Sequence, residues 1–202
     1  MIHSDVWGPA PIMSLDGYKY YVSFIDDFTK TTWIYFMKNK TEVLSHFQTF
    51  LKMIQNEFNC SIKVIRTDNG TEFKNQNFSQ ILHENDILHE TSCVHTPQQN
   101  GVSDRKNRQL LEVARSLLFQ MNVPKTFWKF AISTACFLIN RTPSRLLNYK
   151  CPLSVLTSHD PKLNFLKVFG CTAYVWIDSS KRDKLSPRAL KSIFVGYDST
   201  KK

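Results

Sequence analysis

Ile62-Lys63-Val64-Ile65-Arg66-Thr67-Asp68-Asn69-Gly70, read together with Asn100-Gly101-Val102-Ser103-Asp104-Arg105-Lys106-Asn107-Arg108, decides how the rest of this chain is understood. In the first stretch an apolar, β-branched run (Ile62, Val64, Ile65) ends in a carboxylate, and Asn-Gly follows at once as a turn signal. Asp68 is therefore expected at a strand tip. In the second, Asp104 stands one turn into a helix whose Leu110, Val113, Ala114, Leu117, Leu118 and Met121 recur at three- and four-residue steps. At about 100° per residue Asp104 projects beside that stripe with Arg108 and Arg115, so one helical face carries an acid among bases. Taken singly, a strand-end Asp also reads as a turn former, and a first-turn Asp as a partner of the helix dipole. A third acid changes the balance: Asp5, in Ile2-His3-Ser4-Asp5-Val6-Trp7-Gly8-Pro9, again sits in a short strand-like run that Gly-Pro stops. Three carboxylates on two strands and a helix can meet around hard cations, which take oxygen ligands. Two such ions clamp the attacking and leaving oxygens of a phosphoryl transfer.

Outward from these stretches, residues 18–25 and 31–37 alternate as two strands of an antiparallel hairpin beside the Asp5 strand. Asp26 and Asp27, between them, read as turn formers and stay outside the candidate site. Thr41 is a plausible N-cap for a helix carrying Val43, Phe47, Phe50, Leu51, Ile54 and Phe58 at helical spacing. A short helix around Phe78, Ile81 and Leu82 follows the Asp68 strand, and residues 87–90 form another strand. Residues 91–100 are polar and contain Pro97, which predicts a mobile loop opening the Asp104 helix. The remaining histidines, His46, His83, His89 and His159, show no paired spacing and are expected on the surface. Phe127, Ala131, Thr134, Ala135 and Leu138 mark a buried helix that serves as core or as a dimerisation face. Residues 142–160 shift to a linker-like composition, and residues 168–177 and 192–197 alternate like strands around the basic loop Lys181-Arg182-Asp183-Lys184.

A chain of 202 residues with 42% hydrophobic content is long enough for one well-buried α/β domain and a small second unit. Net charge +9 suggests a polyanionic partner, and with the carboxylate set that partner is expected to be nucleic acid. The five cysteines, at 60, 93, 136, 151 and 171, have no metal-finger spacing and read as free thiols, mostly core, in a reducing compartment. The longest apolar run, residues 131–139, is too short to span a bilayer, so a soluble protein without a membrane partner is expected.

The order Asp5, then Asp68-Asn69-Gly70, then 35 intervening residues (69 to 103) and an acid in Asn-Gly-Val-x-acid-Arg-Lys-Asn-Arg resembles the DDE integrase core of copia-type LTR retrotransposon Pol polyproteins. Phe24-Ile25-Asp26-Asp27-Phe28, Thr96-Pro97-Gln98-Gln99-Asn100-Gly101, Pro124-Lys125-Thr126-Phe127-Trp128 and Asn140-Arg141-Thr142-Pro143 extend the resemblance over nearly the whole chain. It implies an α/β, ribonuclease-H-like fold: a mixed five-stranded sheet flanked by helices over residues 1–145, a linker at 146–162, and a partial SH3-like β module at 163–202. It implies catalytic, metal-binding carboxylates at Asp5, Asp68 and Asp104, holding two Mg²⁺ or Mn²⁺ ions, Asp5 bridging. It places DNA contacts on His95, Gln98, Gln99, Asn100, Arg105, Lys106 and Arg108, and implies DNA (element ends and target) and further copies of the chain as partners. The site of action would be the nucleus, with passage through the cytoplasm in a polyprotein or particle.

Two departures matter. The first acid lies four residues after Met1 and no His/Cys zinc-binding segment precedes it, so the chain is expected to be truncated at both ends. The family has Glu where this chain has Asp104, which shortens the carboxylate's reach by about 1.5 Å, one C–C bond. Metal sites tolerate about 0.2 Å in ligand distance. The sequence therefore supports two readings: an integrase with an all-Asp site, and a catalytically silent DNA-binding remnant. Ribonuclease-H-type cleavage of RNA is a third, disfavoured because the motif opening the Asp104 helix is the integrase one.

Overall fold

The computed structural model of the chain describes residues 1–92 and 100–197. Five strands form one sheet: β1 (Ile2–Trp7), β2 (Tyr20–Asp26), β3 (Thr32–Met37), β4 (Val64–Thr67) and β5 (Leu88–Thr91), in the order β3-β2-β1-β4-β5. The β1/β2 and β2/β3 pairs are antiparallel, whereas β1/β4 and β4/β5 are parallel. Helix α1 (Val43–Phe58) carries the chain from β3 to β4, α2 (Gln76–Glu84) carries it on to β5, and α3 (Gly101–Gln120) and α4 (Trp128–Ile139) follow. This is the mixed, helix-flanked five-stranded sheet expected of a ribonuclease-H-like fold.

Strand alternation divides the side chains between two cores. On β1 and β2, Ile2, Val22 and Phe24 join α1 and α2 in one cluster, while Trp7 and Tyr21 join α3 and α4 in the other. Phe24, fully buried, stacks on Phe50 with ring centroids 4.4 Å apart and meets Phe47 at 5.8 Å. The registers Asp5↔Ser23 and Trp7↔Tyr21 put Asp5 on the same sheet face as Tyr21, toward α3. Alternation alone thus aims the first acid at the helix that carries the third. At the end of β1, Gly8 has φ +131, and a Cβ there would lie 2.6 Å from the Tyr20 ring, so only glycine fits.

The buried helix of the Pro124 region is core: Ala131, Ile132 and Ala135 are fully enclosed against α3 and β3. Beyond its last turn, the Asn140 amide accepts the Thr32 N–H (3.0 Å) and donates to the Thr32 carbonyl (2.8 Å). One side chain there supplies the hydrogen bonds a further strand would supply to β3.

Several expectations need correction. Thr41 does not cap α1. It lies inside a 3-10 turn, Lys40–Glu42, where Glu42 Oε1 accepts the N–H groups of Lys38 (3.0 Å) and Asn39 (2.7 Å). His46 and His89 are half-buried rather than superficial, His89 Nε2 lying 2.9 Å from Thr67 Oγ1. The stretch read as linker contains a 3-10 turn (Arg145–Leu147) and helix α5 (Pro152–Thr157), with Cys151, Pro152 and Ser154 buried and the Leu153 N–H bonded to the Asn140 carbonyl. Strands β6 (Thr172–Trp176) and β7 (Ala189–Ile193) form a separate antiparallel pair, and β7 starts and stops earlier than the alternation suggested. The reason is Tyr197: it leaves the ladder to stack on Phe137 of α4 at 4.2 Å, and its hydroxyl bonds the Lys167 backbone. Cys60, Cys136, Cys151 and Cys171 are free thiols, as expected, the middle two buried. Among the described residues no helix is long and apolar enough to cross a membrane.

Candidate functional site

Asp5 sits in the centre of the sheet with both carboxylate oxygens held. Its Oδ1 accepts the Val6 N–H at 2.8 Å, and its Oδ2 accepts the Asn107 side-chain amide at 2.8 Å. Asn107 is buried on α3 and is itself oriented by the Tyr21 hydroxyl, which donates to Asn107 Oδ1 at 3.2 Å. A chain of hydrogen bonds therefore runs from sheet to helix and back to the acid.

Burial pushes the Asp5 carboxyl up to about 6, and the neighbouring carboxylates Asp68 and Asp104 push it the same way, against the stabilising Val6 and Asn107 bonds. Asp5 is thus the acid on which the charges of the other two converge. Burial also raises the Tyr21 phenol, with Asp5 as a further cause. That keeps Tyr21 neutral and a donor.

Asp68 lies immediately past β4. Its Oδ1 accepts the Gly70 N–H at 3.0 Å, the turn geometry that Asp-Asn-Gly signals. Asn69 donates to the Ser92 carbonyl at 2.7 Å and so ties this turn to the end of β5. A Cβ at Gly70 would fall 2.7 Å from the Glu72 carboxyl carbon and 3.0 Å from Asp68 Oδ1, which shows how tightly Glu72 folds against the turn. The Glu72 side chain, only 6% exposed, is paired by Lys40 Nζ at 2.9 Å. This bond raises the Lys40 ammonium, and Asp68 contributes in the same direction.

Asp104 is exposed in the first turn of α3 and makes no side-chain hydrogen bond to another described residue. Among the described residues no three His, Cys, Asp or Glu side chains lie close enough together to hold a metal ion. Asp68 and Asp104 both act on Asp5 through their charge, yet the three do not close into a ligand group among the described residues.

The residues expected to contact DNA fall into three groups. His95, Gln98 and Gln99 lie outside the described residues. Asn100 is buried at the start of α3, with its Oδ1 unpartnered among the described residues. Arg108 is exposed on the Asp104 side of α3, whereas Arg105 and Lys106 turn to a cleft on another face. Asn107, Tyr21, Glu72 and Lys40 were not anticipated. Asn107 stands three residues after Asp104, the spacing at which helical neighbours meet, and that was the available signal.

Residues 1–97 match the integrase core domain family, and residues 171–202 match the retroviral polymerase SH3-like domain family. The chain is 40% identical over 197 residues to the retrovirus-related Pol polyprotein from transposon TNT 1-94 of Nicotiana tabacum, a match covering 98% of this chain and 15% of that protein. Among solved structures, the simian T-cell lymphotropic virus intasome in complex with PP2A regulatory subunit B56 gamma contains a chain that superposes with TM-score 0.62 at 18% identity, over 95% of this chain and 66% of that one. The HTLV-2 integrase catalytic core domain, solved with magnesium in a trimeric form, superposes with TM-score 0.55 at 21% identity, over 77% and 94%. With its sheet order and these matches, the chain belongs to the integrase core family of copia-type, retrovirus-related Pol polyproteins.

Proposed function

We propose that this chain is the strand-transfer core of a retrotransposon integrase, joining element DNA to target DNA in the nucleus as part of a multimer. The observation that carries the reading is the convergence of charge on Asp5: burial raises its carboxyl, and the charges of Asp68 and Asp104 raise it further, an arrangement within a basic chain that suits a hard divalent cation. Asp5, Asp68 and Asp104 would hold Mg²⁺ or Mn²⁺, which when bound supplies a Lewis acid to a phosphodiester oxygen.

The protein's own residues do the rest. Val6 and Asn107 fix both Asp5 oxygens, and Tyr21 fixes Asn107, so Asp5 needs no reorganisation to act as a ligand. Asp5 holds a proton at mildly acidic pH and gives it up on cation binding. Arg108, exposed beside Asp104, offers a fork of donors to a phosphate. Such contacts read backbone rather than sequence, so binding is salt-sensitive and weakly sequence-specific.

One observation favours a second reading, the silent DNA-binding remnant: the described residues contain no close three-acid group, and Asp104 is the short homologue of the family's Glu. The test is Mg²⁺- or Mn²⁺-dependent reversal of joining on a branched DNA oligonucleotide. Activity in the wild-type chain and in Asp104→Glu, lost in Asp68→Asn, supports a working all-Asp site. Activity in Asp104→Glu alone supports the remnant; inactivity in all three removes the enzyme reading.

A further inference from the structure

A cleft of about 550 Å³ opens between the β2–β3 turn, the first turns of α3 and the segment after α4. Among the described residues four cations line it, Lys30, Arg105, Lys106 and Arg145, and no Asp or Glu does. Its floor is apolar, from Ile25, Val102 and Ile139. Lys30 already donates to Asp27 at 3.0 Å, but Arg105, Lys106 and Arg145 have no carboxylate partner among the described residues. Lys106 is nevertheless half-buried, and among the described residues its Nζ finds only the Gln109 side-chain oxygen, at 3.2 Å. The Arg105 guanidinium folds back over the helix start, with Nη1 2.9 Å from where a Gly101 Cβ would stand, so glycine at 101 makes room for it.

On α3 the lining residues Val102, Arg105, Lys106 and Gln109 are spaced i, i+3, i+4, i+7, one stripe of the helix. At about 100° per residue the centre of that stripe lies about 150° round the helix from Asp104. The cleft is therefore not the place where a phosphate meets the acids. Cations left without counter-ions against an apolar floor are costly on their own and gain when an anion enters, because the floor keeps the local dielectric low.

We propose that this cleft is a second anion site, taking a phosphodiester of a nucleic-acid strand that runs along the face of α3 away from Asp104. The inference rests on the reading of the chain as a DNA-binding protein. A phosphodiester fits better than an acidic peptide because Arg108 carries positive charge round to the Asp104 face, and a backbone bearing a charge at every nucleotide meets both sides of α3 in one pass. Two guanidinium forks in the cleft match planar oxygen pairs of phosphate.

Arg145 is exposed, so changing it leaves the core alone. The experiment is fluorescence anisotropy of a labelled DNA duplex, titrated at several salt concentrations with the full chain, Arg145→Glu, Arg145→Lys, and Lys52→Glu, an equal charge change on α1 across the sheet. The expected result is about tenfold weaker binding for Arg145→Glu, with a salt slope smaller by about one, near wild-type binding for Arg145→Lys, and little effect of Lys52→Glu. Equal effects of Arg145→Glu and Lys52→Glu, with wild-type binding intact, overturn the cleft as a phosphate site and leave the DNA-binding reading standing. No binding by the wild-type chain overturns both. Loss in Arg145→Glu of binding to labelled poly-glutamate, with DNA binding unchanged, also overturns it and assigns the cleft to an acidic protein partner.

Discussion

Asp5 and Asp104 are one residue type on two sides of the same packing interface, and the fold treats them differently. Asp5 is half-buried in the sheet with a donor on each oxygen; Asp104 is exposed on a helix, free of hydrogen bonds to other described residues. The first is coupled to folding and the second is only carried by it. A site built this way has one half set by the core and one half set by a single side chain's reach. If that is right, perturbations should rank by their distance from the sheet, with unfolding free energy as the common measure.

The largest effect belongs to the core under β2. Phe24 neighbours Ser23, the cross-strand partner of Asp5, and is enclosed by Phe47 and Phe50. Phe24→Ala should cost about 3–5 kcal/mol in urea denaturation. A loss under 1 kcal/mol would break the claim that the sheet half is rigidly held. Asn107 comes next, since Asn107→Leu removes the donor to Asp5 and the acceptor of Tyr21 together. About 1–3 kcal/mol should be lost at neutral pH, because two polar groups are left without partners.

Much of this arrangement was legible in the sequence, and what was not has one physical cause. Strand alternation and helical periodicity placed the five core strands, α1, α2, α3 and α4, because these patterns are local. Asp68 could be put at a strand tip because Asn-Gly is a turn signal wherever it occurs. Asn107 was missed because its spacing from Asp104 marks it only as a helical neighbour, whereas its role depends on a contact with Asp5 across 102 positions. Glu72 reads as an ordinary surface acid until the Gly70 turn folds it against Lys40. The early end of β7 and the helix inside the supposed linker have the same origin: Tyr197 and Leu153 are drawn to α4 and its C-terminus by tertiary contacts that outweigh strand and linker composition. Even the resemblance gave residue types at the site and not their support.

The comparison is sharpened by pH. The folded-state pKa of Asp5 stands above its ordinary value, at about 6. Its contribution to stability is fully present below about pH 4, where the side chain is neutral in both states, and is lost as pH rises through about 6. The Asn in Asp5→Asn does not titrate. The unfolding free energy of the wild-type chain relative to this variant should therefore fall by on the order of 1–2 kcal/mol between pH 4 and pH 7 without divalent ions. Mg²⁺ should recover part of that loss in the wild type and none in the variant, since an ion bound only by the folded state stabilises by mass action. A flat difference across this range would mean that burial and the neighbouring acids do not raise the Asp5 carboxyl.

The smallest effect on folding is the one that bears most on function. Asp104→Glu adds a methylene to an exposed side chain with no hydrogen-bond partner among the described residues, so its stability change should stay within about 0.5 kcal/mol at any pH. The same methylene lengthens the carboxylate's reach by about 1.5 Å. Calorimetric titration with Mn²⁺ should then show tighter binding by Asp104→Glu than by the wild-type chain while the two melt together in its absence. If the longer side chain changed both stability and affinity, the helical acid would be part of the core after all, and the division between a folded half and a reaching half would fail. If it changed neither, reach would not be what separates Asp104 from the other two acids, and the position of α3 itself would have to account for the open group.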